Sequence, residues 1–291
     1  MRAAQNRRNA TIMLWLTAAI WGFAFVAQRA GMAYVGPFTY NGIRFALGGL
    51  SLVPVLLWQR NAAWKEAAER KRLLKGGLLA GTALFAAASF QQVGMVWTSA
   101  GKAGFITGLY VILVPVIGIG LGQMIKRSTW AGAVLAAAGL FLLTVNEQLS
   151  MVTGDLLVLI SAVFWALHVQ LINRLVVGLC PLALSATQFI VCSIASLAVA
   201  GFTESIRLQG ILDAAVPLLY GGLMSVGVAY TLQVFAQRHI HPAHASIILS
   251  CETVFAALGG WIVLHETMSY HGLAGCLLMF LGMWVVHREG P

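Results

Sequence analysis

Residues 73–78 read LLKGGL, and residues 218–223 read LLYGGL, 145 positions further on. In a chain rich in Leu and Gly the match alone is weak, but its neighbours extend it. At the same offset of 145, Phe85 meets Tyr230, Phe90 meets Phe235 and Gln92 meets Gln237. At 144, Thr17 meets Ser161 and Trp21 meets Trp165; at 143, Leu121 meets Leu264, Gly132 meets Gly275 and Gly139 meets Gly282. A drift of two residues is what small changes in loop length produce. The chain therefore reads as one module written twice, residues 1–146 and 147–291.

The module is a membrane module. Of 291 residues, 59% are apolar and 9% charged, with mean hydropathy +0.85. A soluble domain carries about 25% charged residues, enough to cover a water-facing surface. Nothing is charged from Ala103 to Ile125, Ser128 to Asn146, Leu156 to Asn173 or Ala214 to Gln237. About 20 apolar residues cross a hydrocarbon core as a helix. Cutting the runs at Gly, Pro and charge clusters predicts an all-α integral membrane protein of ten transmembrane helices, at 11–28, 38–58, 76–95, 101–121, 129–145, 155–174, 182–201, 215–236, 243–263 and 271–287. The first run has no small-residue cleavage site and reads as a retained helix rather than a signal peptide. Pro54 and Pro115 fall inside spans and predict kinks.

The net charge of +9 has a topological explanation. With ten helices, 14 of the 18 Lys and Arg fall on the side that holds both termini, including Arg60, Lys65, Arg70, Lys71, Arg72 and Lys75 in one loop. The positive-inside rule then makes both termini cytoplasmic, and no nucleic-acid partner is needed to account for the charge. Five helices per copy is an odd number, so the second copy enters the membrane from the opposite face. Lys75 on the charged side accordingly becomes Tyr220 in the second copy. Inverted repeats that rock around a midplane site are a construction principle of secondary transporters.

Polar side chains inside lipid should face the bundle interior. Helical spacing puts Thr17, Trp21 and Gln28 on one face, Thr82, Phe85, Ser89 and Gln92 on another, then Ser161, Trp165 and His168, and Tyr230, Gln233 and Gln237. Thr107 and Tyr110 join them from the fourth helix. Any one of these can be an interhelical hydrogen bond or a packing ring. As a matched set they predict a central cavity, with Trp21, Phe85, Ser89, Gln92, Tyr110, Trp165, His168, Tyr230 and Gln233 as substrate-binding candidates. Glu252 lies roughly 13 Å into the ninth helix, near the middle of a core about 30 Å thick. Burial there favours its neutral form and makes it a candidate proton carrier or cation partner. Arg44, roughly 9 Å deep, is expected to snorkel outward. The pairs Gly77/Gly81, Gly104/Gly108 and Gly118/Gly122 carry the spacing that lets helices approach closely.

Enzyme and metal motifs are missing. The three histidines of HIHPAH (239–244) fall at a helix junction without Cys or acid partners, and a solvated or lipid-headgroup role suits them better than zinc. HETMSYH (265–271) lacks metalloprotease spacing, and GIGLG (118–122) lies inside a span, where it cannot cradle phosphate. No cofactor and no catalytic residue is expected.

WGFAFVAQR (21–29), Pro37 and Arg44 in GPFTYNGIRFAL (36–47), TSAGKAGFITGLYVILVPV (98–116), AHASIILSCETVFAALGGWIVLHE (243–266) and GLAGCLLMFLG (272–282), in this order, resemble the EamA-type transporters of the drug/metabolite transporter superfamily over essentially the whole length. The resemblance implies ten helices in two inverted halves, a central cavity and export of small metabolites, amino acids among them, or organic cations. It also implies a multi-pass protein of the cell membrane, the inner membrane of a bacterium. Two departures stand out. Such proteins usually read Glu-Pro where this chain has Glu252-Thr253, which removes an expected kink, and Gln123 stands where a glutamate is common.

Aromatic rings, amides, one imidazole and one acid suit an amphipathic zwitterion or a cation. The favoured reading is export of amino acids, aromatic ones included, with the lipid bilayer and a small-molecule substrate as partners, protons as the candidate coupling ion, and the oligomeric state open. A multidrug or quaternary-amine pump is the rival, with Trp21 and Trp165 supplying cation–π contacts. An intramembrane lipid-modifying enzyme would need a reactive constellation that the sequence lacks. A passive channel fits poorly with aromatic rings meeting at midplane.

Overall fold

A computed structural model describes residues 2–58, 67–98, 100–144, 152–264 and 270–288. The expected boundary between the two copies, at 146/147, lies outside these residues, as do most of the HETMSYH stretch and the side chain of Lys102. All described regular structure is helical. In order it comprises α1 (Arg2–Gly31), α2 (Pro37–Trp58), α3 (Ala67–Gly94), α4 (Ala100–Gly108), α5 (Tyr110–Gly120), α6 (Arg127–Thr144), α7 (Thr153–Leu175), α8 (Pro181–Thr203), α9 (Leu208–Asp213), α10 (Ala215–Leu219), a π-helical segment (Tyr220–Tyr230), α11 (Thr231–Ala236), α12 (Pro242–Leu249), α13 (Glu252–Leu264) and α14 (Tyr270–Arg288).

Among the described residues, eight stretches are long and apolar enough to cross a membrane: Gln5–Gly31, Pro37–Trp58, Ala68–Gly94, Ala103–Gly120, Thr153–Leu175, Pro181–Thr203, Ala215–Ala236 and Pro242–Gly259. The fifth and tenth expected spans correspond to shorter apolar helices, Arg127–Leu142 and Tyr270–Val286. Exposed apolar side chains such as Leu50, Leu78, Val134, Ile194, Val216 and Leu277 face outward, while Gln92, Asn41, Gln188 and Ser161 are fully buried. This arrangement, the reverse of a soluble protein's, is what a hydrocarbon surrounding selects.

The packing follows the sequence offsets. α2 packs on α8 and α6 on α14; α3 packs on α7 and α8, while α1 and α2 pack on the π-helical segment; α1 packs on α13, and α5 on α7. Exchanging the helices as the offsets prescribe turns each of these packings into another on the same roll. Between α6 and α14 the agreement reaches single residues. A Cβ on Gly132 would lie 2.7 Å from the Gly282 carbonyl oxygen, one on Gly282 would lie 2.6 Å from that of Gly132, and Gly139 abuts the carbonyl of Gly275. Backbone contact of this kind needs glycine at each of these positions.

The other glycine pairs divide. Gly77 and Gly81 press on Thr187 and Val191 of α8, and Gly108 meets Leu140 and Thr253. Gly118/Gly122 is not a packing pair. Gly122 has φ +78° with open space around it, and it ends the helix.

Two spans are broken. The fourth is interrupted at Leu109, between α4 and α5, several residues before Pro115, which like Pro54 sits inside a continuous helix. The ninth passes from α12 to α13 at Ser250 and Cys251, immediately before Glu252, where the turn tightens while Ser250 keeps helical dihedrals (φ −59°, ψ −17°). The local cause is serine. Ser246 Oγ donates to the Ala243 carbonyl and Ser250 Oγ to that of Ile247, competing with the backbone, and the chain tightens as Cys251 N donates to Ile248 O and Thr253 N to Ser250 O.

Two acids, half-buried Glu204 and buried Asp155, close helix starts. The Glu204 carboxylate accepts from the backbone N–H of Phe38 and Thr39 at 2.8 Å each and from Thr39 Oγ1 at 2.6 Å, capping α2. Asp155 accepts from Thr98 Oγ1 at 2.6 Å and from Val152 N at 2.9 Å at the start of α7. Gly282→Leu is expected to wedge α14 from α6 and to cost about 1–3 kcal/mol by overpacking, read as a lower thermal unfolding midpoint in detergent; an unchanged midpoint would rule out the backbone contact.

Candidate functional site

The breaks in the two spans meet in the middle of the bundle. Tyr110 is the first residue of α5 and Glu252 the first of α13, and both line one internal cavity. Trp21 and Gln28 of α1, Arg44 of α2, Gln91 of α3, Thr107 of α4 and Trp165 of α7 join them, with Ser225 and Tyr230 from the π-helical segment and Gln233 of α11. Of the residues expected from the sequence, Trp21, Tyr110, Trp165, Tyr230, Gln233 and Glu252 line it. Its free volume is about 40 Å³, room for a few water molecules. The site stands closed around its own side chains.

Tyr230 is the hub of the rings. Its centroid lies 4.5 Å from Trp21 and 5.9 Å from Trp165, stacked on the latter at 23°, with Phe45 at 5.9 Å and Phe189 at 6.0 Å around it. Hydrogen bonds set the two indoles. Trp165 Nε1 donates to Gln91 Oε1 at 2.7 Å, Trp21 Nε1 donates to the Ser225 carbonyl at 3.2 Å, and Gln28 Nε2 donates to Ala24 O at 3.2 Å. The π-helical segment carries Ser225 and Tyr230, and its wider turns fit the frequency with which such stretches occur at functional sites.

Four expected residues stand elsewhere. His168 is fully buried behind the rings, edge-on to Trp165 at 6.0 Å and Tyr230 at 6.4 Å, and its Nε2 meets Gln188 Oε1 at 2.8 Å. Phe85 lies 6.5 Å from Phe38, outside the cavity wall. Ser89 and Gln92 are buried without lining the cavity, and neither amide atom of Gln92 has a protein partner. The reason for the correction is helical phase: Gln91, one residue earlier on α3 and so turned by about 100°, is the glutamine that reaches Trp165.

Arg44 corrects the sequence reading more consequentially. It does not snorkel. It is 2% exposed and lines the cavity, its guanidinium 5.0 Å from the Phe45 centroid and 5.6 Å from that of Tyr40. No ion pair joins it to Glu252, and its Nε has no hydrogen-bond partner. Glu252, 4% exposed, has the Tyr110 hydroxyl beside it, close enough to interact but without a hydrogen bond of good geometry. Thr107 Oγ1 and Gln233 Oε1 also lack protein partners. Buried polar atoms are nearly always bonded; here a cation, an acid, two hydroxyls and an amide oxygen are held around one cavity, free to bond a guest. The signal for Arg44 was present in the sequence as a charge within a span, but only the packing of α2 on the π-helical segment decides which way it points.

The histidines of HIHPAH are engaged locally. His241 Nδ1 accepts from Ala243 N at 3.3 Å at the start of α12, and His244 Nε2 lies 3.2 Å from Thr129 Oγ1. Burial lowers the pKa of His241 below the ordinary value, favouring the neutral ring that accepts this bond.

The EamA-like transporter family profile matches the chain twice, over residues 8–145 and 152–288. An uncharacterized transporter of Archaeoglobus fulgidus is 29% identical over 282 residues, covering 97% of this chain and 86% of its own. The Bacillus subtilis transporter YoaV is 25% identical over 281 residues, covering 91% and 92%. A solved crystal structure superposes with TM-score 0.81 at 17% identity, covering 97% of this chain and 99% of that one, a likeness of fold.

Gln91→Leu would leave the buried Trp165 indole N–H without an acceptor and is expected to destabilise by about 1–3 kcal/mol. Gln92→Leu, which removes an amide that bonds nothing in the protein, is expected to be neutral or stabilising. Thermal unfolding of both variants in detergent checks the assignment, and the reverse order would refute it.

Proposed function

The chain belongs to the EamA-like transporter family, and from that premise we propose that it exports small zwitterionic, amphipathic metabolites, amino acids and aromatic ones among them, by alternating access around the central cavity. It is a multi-pass membrane transporter. The observation that carries the substrate reading is the pair Arg44 and Glu252, both buried, both on the cavity and not bonded to each other. A carboxylate fits a guanidinium fork, an ammonium fits the acid, and an apolar or aromatic side chain fits among Trp21, Trp165 and Tyr230. A bare cation would meet Arg44 as a like charge, which counts against the quaternary-amine reading. Glu252 beside aromatic faces is the feature that favours that reading.

Alternating access draws on the same geometry. We read the protein as ten spans in two inverted five-helix repeats, residues 1–146 and 147–291, with both termini cytoplasmic and, in a bacterium, in the inner membrane. The exchange-related packings, the reciprocal contacts of Gly132 with Gly282, the approach of Gly139 to the Gly275 carbonyl, and the two matches to one family profile support this. Moving Leu109 by the offset of 143 reaches Glu252, so the two breaks fall at corresponding places in the copies. Interrupted helices at matched positions are where secondary transporters build their sites. With about 40 Å³ free, the cavity is too small for an amino acid as it stands, and its walls would have to part to admit one. Glu252 is the group through which protons would couple to that motion.

Labelled phenylalanine should show saturable flux into proteoliposomes, tested with and without an imposed pH gradient. Its absence in both, from folded protein, would move the assignment to quaternary amines. Arg44→Gln is expected to weaken phenylalanine transport about tenfold or more, by loss of a charge-assisted bond, and to spare any flux of a tetraalkylammonium. Glu252→Gln is expected to abolish the response to the gradient; full coupling in that variant would remove Glu252 from the proton path.

A further inference from the structure

Where α4 passes to α5 and α12 to α13, three oxygen-bearing side chains come together on the cavity wall. Thr107 and Tyr110 are three residues apart on either side of Leu109, a spacing that puts both on one helical face. Glu252 opens α13 opposite them. Its neighbour Thr253 fixes the approach: Thr253 Oγ1 donates to the Gly104 carbonyl at 3.5 Å, and a Cβ on Gly108 would lie 3.3 Å from that hydroxyl. Thr107, Tyr110 and Glu252 thus flank the seam between α4 and α13, and all three line the cavity.

The three are buried, at 3%, 4% and 4% exposure. The Tyr110 hydroxyl stands beside the Glu252 carboxyl. Among the described residues, neither that hydroxyl nor Thr107 Oγ1 has a hydrogen-bond partner. Packing alone does not call for them. Valine has the shape of threonine and phenylalanine that of tyrosine, and either would fill its place without leaving a buried polar atom unpaired.

The cluster has the chemistry of a receptor for a primary ammonium. Such a group carries three donors and no acceptor. A carboxylate and two hydroxyl oxygens offer three acceptors and the opposite charge. A proton would satisfy Glu252 and leave both hydroxyls as they are. A quaternary ammonium would meet the acid and the rings but donate nothing to Thr107 or Tyr110. A site built to bond a substrate N–H rejects the analogue without it far more strongly than an apolar pocket rejects an added methyl.

We propose that Thr107 and Tyr110, together with Glu252, form an ammonium subsite that admits primary amines and rejects their N-methylated counterparts. The inference rests on the cavity being a site for zwitterionic metabolites, and it adds the residues that separate amino acids from betaines. Because the subsite is shared between the fourth and ninth spans, a bound ammonium would also tie those spans to each other.

Isothermal titration of the full chain in detergent tests this, with L-phenylalanine and its N-methyl, N,N-dimethyl and N,N,N-trimethyl derivatives. Affinity should fall as methyls are added, to about a hundredfold weaker for the trimethyl compound, which can make none of the charge-assisted bonds. In T107V/Y110F phenylalanine should bind more weakly and the gap should shrink below about tenfold. Thr107→Val alone, which keeps the shape of the wall, should narrow the gap in the same direction. Equal binding of phenylalanine and its trimethyl derivative by the wild-type chain would overturn the subsite and leave the proposed function standing. An undiminished gap in the variants would mean rejection by size alone and would also overturn it. If phenylalanine does not bind the folded wild-type chain at all, the proposed function falls and the subsite falls with it.

Discussion

Hydrocarbon offers no hydrogen bonds, and the organisation of this protein depends on that constraint. A backbone break or a charge in a span is tolerable only where protein or a polar cavity surrounds it. The chain contains several such liabilities: interruptions at Leu109 and at Ser250–Cys251, a π-helical segment, an arginine and a glutamate. They have one affordable location, the bundle axis, and they are found together there. The same condition that makes them costly in lipid concentrates them into a site, because each break supplies the polarity that makes the next one tolerable.

Around this axis the helices do different work. α6 and α14 are locked backbone to backbone through glycines, and α3 is pressed on α8 through Gly77 and Gly81. Such contacts have no side chain to adjust and behave as rigid seams. The helices that carry the site, α4/α5, α12/α13 and the π-helical span, are the interrupted ones. Both seams join a helix of residues 1–146 to one of residues 147–291, so they fix those helices to each other, while the site is carried by the other helices.

The centre of the cavity is filled by rings rather than by charge. Tyr230 fills the centre, with Trp21 and Trp165 held against it by hydrogen bonds to Ser225 and Gln91. Arg44 lies against Phe45 and Tyr40 without an acceptor from the protein. A buried cation without a counter-ion is expensive, so a guest that supplies a carboxylate relieves a cost the empty fold carries. That differential stabilisation is what a substrate must provide to shift a conformational equilibrium.

The membrane class and the positions of most spans were legible in the sequence, because each depends on composition along the chain. The gathering of Trp21, Tyr110, Trp165, Tyr230, Gln233 and Glu252 around one cavity was legible too, since aromatic and polar residues in a span have few places to go. Gln92 was preferred to Gln91 because periodicity identifies a face only to within about one residue, and a turn of 100° separates the two. The break before Glu252 was obscured because its cause is not proline but serine hydroxyls competing for carbonyls, a choice made only once the neighbouring helices are in place. Arg44 shows the division best. Its charge, its depth and its helix neighbours Tyr40 and Phe45 were written in the sequence, but whether its long side chain runs outward to water or inward to the cavity depends on the π-helical segment, which lies far away in the chain and which only the tertiary packing sets against α2.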